Sequence, residues 1–193
     1  MNRKLALPGG VAMLAALLLP MAHPTPVVEL VKQALVIRRT LPDAQRFFVR
    51  TVSLGREDLA RIRQEVDYDP ENPDVKFYYG KDQAGRLDGV VLFPQYNTIH
   101  GPVEVGLTMS PDGRITSVIV TKATAETKPW VLHAVSTGFL SQFKGLAPGD
   151  SVAPALKGLS AGKLGAMPFF MAESIGAAVE RGLVLYANLY KAE

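Results

Sequence analysis

Apolar and polar residues alternate through the middle of the chain in the manner of β-strands. In the segment 101–109, Val103, Val105, Leu107 and Met109 occupy every second position, which predicts a strand with one buried face. Further β-prone runs lie at 47–52, 75–79, 87–93 and 115–121. The short turn sequences between several of these runs favour hairpins over crossover connections. The pattern therefore predicts an antiparallel sheet.

Other segments have the three- and four-residue spacing of apolar positions that is typical of helices. Helices are predicted over 27–39, after Gly55, over 128–143 and from Pro168 to about Tyr190. The last of these is predicted to bury one face, formed by Phe170, Ile175, Val179, Leu183 and Tyr186. Sheet and helices together predict an α+β fold, with an antiparallel sheet flanked by helices.

The amino terminus has the charged and then apolar pattern of a membrane-targeting segment. Arg3 and Lys4 precede an apolar run from Leu5 to Ala22, which would be about 27 Å long as a helix. A cleaved signal peptide would place Pro20 where a small residue is preferred, so a retained transmembrane helix is favoured over a signal. Positive charge ahead of the apolar run favours an amino terminus in the cytoplasm and places the chain after the run on the other side of the membrane. We expect a single-pass protein of the inner membrane with its domain in the periplasm.

The length and composition fit one globular core with an appendage. The 193 residues divide into an anchor or signal at 1–22, a spacer and helix at 23–44, and a periplasmic domain at 45–193. Hydrophobic residues make up 48%, charged residues 20%, and the net charge is +3. This mild charge has no clustered basic segment and argues against nucleic acid as a partner. The absence of cysteine excludes disulfides and thiolate chemistry.

Few residues in the chain have the spacing that catalysis or metal binding requires. The three histidines, His23, His100 and His133, lie far apart without metal-ligand spacing. His100, in a predicted loop, is either a structural histidine or a haem or metal ligand, and the structural role is the commoner one. The signature motifs of hydrolases and nucleoside triphosphatases are absent. The sequence therefore predicts no metal site and favours a protein that is not an enzyme.

Several short sequence motifs occur in the order that is typical of a known family. They are Leu87-Asp88-Gly89-Val90-Val91, His100-Gly101-Pro102-Val103, Ser110-Pro111-Asp112-Gly113-Arg114-Ile115, Ala125-Glu126-Thr127 and Phe139-Leu140-Ser141-Gln142-Phe143-Lys144-Gly145. Over most of residues 45–190 the chain resembles the FMN-binding domain of the periplasmic flavoprotein subunits of sodium-pumping quinone reductases and Rnf-type complexes. The resemblance implies an FMN-binding-domain-like fold and membership of an electron-transfer complex in the membrane.

The family's covalent flavin motif is degenerate in this sequence. In the family, FMN is attached through its phosphate to the last threonine of Asp-x-x-Ser/Thr-Gly-Ala-Thr, at the start of the final helix. The matching positions here hold Ala161, Leu164, Gly165, Ala166 and Met167. A methionine thioether has no hydroxyl to esterify, so no covalent flavin is expected. Ser174, about two helical turns further on, is a poor substitute acceptor.

The positions that the resemblance assigns to the flavin are Glu126, Thr127, Lys163, Gly165, Ala166 and Met167. We expect a membrane-anchored accessory subunit of a respiratory or photosynthetic electron-transfer complex, in which the domain has a structural or interaction role. The alternative is an electron carrier that holds FMN non-covalently, since the helix start could still bind a phosphate. A third, weaker alternative is a haem- or small-ligand-binding sensor.

Overall fold

An antiparallel sheet with helices on both faces forms the domain. The computed structural model describes residues 25–70 and 72–190, and the predicted transmembrane helix at 1–22 lies outside this part of the chain. No helix within the described residues is both long enough and apolar enough to span a membrane. The α+β prediction, with an antiparallel sheet flanked by helices, is confirmed.

Seven strands occur within the described residues, and all their pairings are antiparallel. They are β1 (Val27–Glu29), β2 (Arg46–Ser53), β3 (Asp74–Lys81), β4 (Leu87–Leu92), β5 (Gln95–Thr98), β6 (Gly101–Met109) and β7 (Ile115–Thr124). The order across the sheet is β1-β7-β6-β4-β3-β2. The first part of β6 pairs with β5 and the last part pairs with β4. Between these two parts, the Val105 N–H donates to the Pro94 carbonyl at 3.0 Å.

The helices cover the sheet unequally. They are α1 (Gln33–Thr40), α2 (Arg56–Ile62), α3 (Lys128–Ser136), α4 (Ala153–Leu156), α5 (Ala161–Leu164) and α6 (Ala166–Leu189), with a 3-10 helix at Phe139–Phe143. Neighbouring strand residues point to opposite faces. Val90 joins the large core beneath α6, whereas Val91 packs with Val36 and Leu41 of the α1 side.

The predicted buried face of the final helix is largely confirmed. Ile175 and Val179 are fully buried, Leu183 is 2% exposed and Tyr186 is 9% exposed. Phe170 is only half-buried. The amphipathic spacing of α6 therefore correctly identified its core contacts, and it was least accurate at the helix start, where Phe170 is only partly buried against the same core.

Three helix and strand predictions are wrong in part. Residues 27–29 form β1 instead of the start of a helix, because they pair with β7. Residues 95–98 form β5 instead of a loop, because they pair with β6. The helix predicted over 128–143 is broken at Gly138, where φ is 78°, a left-handed conformation that only glycine adopts at low cost. Each error arises where pairing or backbone conformation overrides local periodicity.

Candidate functional site

The start of α6 holds the residues that the sequence analysis matched to the flavin motif. Gly165 separates α5 from α6 with φ 90° and ψ 149°, a backbone region open almost only to glycine. The Phe169 N–H donates to the Gly165 carbonyl at 3.1 Å, and no side chain caps the helix. The N–H groups of Ala166 and Met167 therefore have no partner within the helix, and Pro168 has no N–H to offer.

An aromatic and imidazole cluster packs beside this helix start. The His100 ring lies 5.4 Å from the Trp130 ring and 6.2 Å from the Phe170 ring, both in edge-to-face orientation. Phe170 stands one turn after Met167 on the same helix face, and both side chains are half-buried. Three separate elements, the β5–β6 turn, α3 and α6, therefore meet at the start of α6.

The His100 side chain is held by a carboxylate. Its Nδ1 lies 3.0 Å from Oε1 of Glu126, and the Thr25 hydroxyl donates to the other oxygen of Glu126 at 3.3 Å. The side chain of His100 is 25% exposed and that of Glu126 is 42% exposed. A solvent-accessible pair of this kind contributes modestly to stability, but it fixes the orientation of the imidazole next to Trp130.

The turn that carries His100 is rigid. The Thr98 hydroxyl donates to the Gly101 carbonyl at 2.8 Å and accepts the His100 N–H at 3.0 Å. Gly101 has φ 93°, and a Cβ on it would lie 2.5 Å from the Thr124 methyl group, so glycine is required by both conformation and space. At the tip of this turn, Ile99 is 92% exposed.

The structure places the six predicted flavin positions in different environments. Gly165, Ala166 and Met167 form the start of α6. Glu126 contacts His100, and the His100 ring packs against Phe170 in the first turn of that helix. Thr127 is 1% exposed, and its hydroxyl lies 2.9 Å from that of Thr124. The Lys163 ammonium group donates to the Gly158 carbonyl at 3.4 Å.

These positions therefore differ in what they can do. Thr127 is a structural residue at the start of α3, since its hydroxyl is committed to Thr124. Lys163 makes its contact within the segment that precedes α6. Ser174, the weak substitute acceptor, is 3% exposed and donates to the Phe170 carbonyl at 2.9 Å, so its hydroxyl is also committed. No three potential metal-ligating side chains cluster within the described residues.

A cleft of about 500 Å³ lies elsewhere, between β3 and β5. At its base the Arg181 guanidinium donates to the carbonyls of Gln95 and Asp67, one on each side of the cleft. The guanidinium also lies between two aromatic rings, 5.3 Å from Tyr68 and 5.1 Å from Tyr96. Arg181 is 8% exposed, and burial lowers the pKa of its guanidinium while the Asp67 carboxylate partly opposes this. Arg181 thus holds both sides of the cleft to α6.

Sequence reasoning did not identify Arg181. Arg181 lies about 200° around the helix from both Val179 and Leu183, so it is outside the buried face that the sequence predicted for α6. A charged residue is rarely buried unless it has polar partners, and its two partners here are backbone carbonyls of residues distant in the sequence. The sequence therefore contained no signal that Arg181 is buried.

Comparisons with known proteins add little beyond the general architecture. No protein-family model matches the chain, and no curated protein matches it. Among solved structures, NqrC of Shewanella oneidensis is similar, with 14% sequence identity, 78% of this chain and 84% of that chain covered, and a TM-score of 0.45. We transfer no residue role from it.

Proposed function

We propose that the protein is an accessory subunit of a membrane electron-transfer complex, in which an FMN-binding-like domain serves as an interaction module without covalent flavin. Residues 1–22 hold it in the inner membrane and the domain lies on the periplasmic side. The sequence motifs that resemble those of the flavoprotein family, in the same order, support the assignment to electron transfer. The observed α+β architecture, with the degenerate motif at the start of its longest helix, is consistent with that resemblance.

The observation that carries the proposal is the chemistry of the first turn of α6. Met167 presents a thioether where esterification needs a hydroxyl, and Pro168 removes one N–H from the set that a phosphate would use. The carboxylate of Glu126, paired with His100, adds negative charge nearby and disfavours a second anion. The residues present therefore do not fit a phosphate-linked flavin.

The same region offers a surface for another protein. Ile99 is 92% exposed and directly precedes His100, whose half-buried ring packs with those of Trp130 and Phe170. Met167 lies one turn before Phe170 on α6. We call these five residues the helix-start surface. Aromatic residues and methionine are enriched in the cores of protein interfaces, and a rigid turn presents Ile99 with little loss of entropy on binding. The surface would fit a partner protein that has an apolar pocket, with polar groups at its rim that contact His100 and Glu126.

Purification from native membranes tests this proposal. The full chain, tagged at its carboxyl terminus, is expected to co-purify stoichiometrically with redox subunits of a larger complex. Ile99→Lys should reduce that yield at least tenfold. Leu132→Lys is the matched control, since Leu132 is 50% exposed and lies about 200° around α3 from Trp130. Purification of the chain alone from the membrane, or equal loss in both variants, would contradict the proposal.

The second candidate is an electron carrier that holds FMN non-covalently. The observation that favours it is the position of Trp130, whose half-buried indole lies beside a helix start with two available N–H groups, those of Ala166 and Met167. A visible spectrum of the natively purified protein decides between the candidates. Flavin absorbance that is released on denaturation supports the carrier, and a colourless, complex-bound protein supports the interaction module.

A further inference from the structure

Within residues 25–70 and 72–190, strand β2 leaves one edge of the sheet without a neighbouring strand. It is the last strand in the sheet order, and it pairs with β3 from Arg46↔Lys81 to Ser53↔Asp74 without a register shift. Natural proteins protect edge strands by making them short, by bulges, by proline, by charged side chains or by covering them. β2 has eight residues and no proline, with Arg46 and Arg50 as its charged residues. Phe47, Phe48 and Val49 are 46%, 39% and 56% exposed, so the edge is long and regular and has an exposed apolar segment.

The hydrogen-bond pattern shows which backbone groups face outward. Just beyond the strand, the Leu54 N–H donates to the Pro73 carbonyl at 3.0 Å. Hydrogen-bonded pairs alternate along an antiparallel ladder, so the even-numbered residues of β2 bond to β3. The N–H and C=O groups of Phe47, Val49, Thr51 and Ser53 consequently point away from β3, toward the position that another strand would occupy.

In one register, β2 strands from two copies of the protein can pair with complementary side chains. With Val49 on a two-fold axis, Val49 faces its own copy and Phe47 faces Thr51, which gives an uncharged patch of six side chains on one sheet face. On the opposite face, Phe48 lies across from Arg50 of the second copy, a favourable cation–aromatic pair. About six backbone hydrogen bonds can form in this arrangement.

Neighbouring registers are disfavoured by charge. Shifting the axis by one residue to Arg50 sets the two Arg50 side chains directly opposite each other. Shifting it to Phe48 sets Arg46 opposite Arg50. Like charges opposite each other destabilise a strand pair. The axis at Val49 avoids both clashes and keeps nearly the full length of the strand paired.

We propose that the protein forms a two-fold symmetric dimer by antiparallel pairing of β2 with β2 of a second copy, with Val49 at the axis. The pairing continues the sheet across both molecules and satisfies the outward backbone groups. The surface differs from the helix-start surface, so self-association and binding to a complex can be tested separately.

The absence of native cysteine allows a sharp test by cross-linking. In a hydrogen-bonded antiparallel pair the Cα atoms lie about 5.5 Å apart, within the range of a disulfide. In the full chain, in detergent or in native membranes, Val49→Cys should form a disulfide-linked dimer on mild oxidation, visible on a non-reducing gel. Thr51→Cys is the matched control, because its two copies would be about 13 Å apart along the strands. We expect Val49→Cys to cross-link at least tenfold faster.

Sedimentation of the cysteine-free protein provides the second measurement. The unmodified chain should show the mass of a dimer, and Val49→Pro should show the mass of a monomer with an unchanged circular dichroism spectrum. A monomeric mass for the unmodified chain up to about 100 µM would overturn the proposal. Equal cross-linking of the two cysteine variants would overturn it as well, since random collision produces that result.

Discussion

Gly182 lies where α6 packs closely on β6 and Pro94, and replacing it tests whether this contact leaves room for a side chain. A Cβ at this position would lie 2.6 Å from Cδ2 of Leu107 and 2.8 Å from Cγ of Pro94. Leu107 is fully buried and Pro94 lies at the corner between β4 and β5, so neither atom can easily move. Gly182→Ala should therefore force α6 away from β6 and strain the packing that positions the helix start.

The change in the free energy of unfolding for Gly182→Ala is the balance of two opposing effects. Alanine is favoured over glycine inside a helix by about 1 kcal/mol, whereas overpacking a core costs about 1–3 kcal/mol and occasionally more. Because two core atoms are approached below 3.0 Å, the steric cost should exceed the helical gain. We expect Gly182→Ala to lower the free energy of unfolding by about 1–2 kcal/mol, which for a chain of this size is a decrease of roughly 2–8 °C in Tm.

Gly176 on the same helix provides the matched control. Its added Cβ would lie 3.1 Å from Cδ1 of Leu156, the flexible end of a half-buried side chain that can rotate away. Gly176→Ala should therefore keep or raise stability, by up to about 1 kcal/mol. Urea unfolding followed by circular dichroism measures both variants. A Gly182→Ala protein as stable as the unmodified one, or equal losses in both variants, would refute the reasoning.

Three further predictions concern other parts of the fold. Burial raises the pKa of Tyr186 to about 12, so the unfolded chain releases this proton first and stability should fall between about pH 10 and 12; Tyr186→Phe should make the urea midpoint fall less over that interval. Gly165→Ala, at φ 90°, should cost about 1–3 kcal/mol in urea unfolding. Arg181→Met removes the donor shared by Gln95 and Asp67 and should destabilise by about 2–4 kcal/mol, whereas a loss below 0.5 kcal/mol would show that the clamp is dispensable.

The sequence was sufficient to predict the elements whose own periodicity matches their burial. The alternation through Val103, Val105 and Leu107 correctly predicted that β6 is a strand. The expected single buried face is wrong, because Glu104, Gly106 and Thr108 on the other face are buried as well. The spacing of Ile175 and Val179 correctly predicted the core face of α6, where the local pattern and the tertiary environment agree.

Other elements depend on partners that are distant in the sequence. Val27 fits a helical spacing with Leu30 and Val31, but Val27 and Val28 pair with Thr124 and Ala123 of β7. Residues 95–98 carry no apolar alternation, and they become a strand because β6 supplies the hydrogen bonds. A single sequence does not reveal such pairings, because the energy comes from residues that are not neighbours along the chain.

In the candidate site, too, some features could be predicted from the local sequence and others depend on residues that are distant along the chain. The degenerate motif at Met167 could be recognised from the sequence, and His100 and Glu126 were each identified as individual residues. Their convergence beside Phe170 could not be derived, because it needs the β5–β6 turn, α3 and α6 to meet. Whether the predicted positions bind a cofactor stays a prediction.

The chemistry at residue 167 is the central claim, and the intact protein from its native membrane tests it most directly. A denaturing gel viewed under ultraviolet light, followed by the mass of the peptide that contains Met167 and Ser174, detects any attached flavin. We predict a dark band and an unmodified peptide. A fluorescent band, with the mass of FMN added to that peptide, would contradict this prediction.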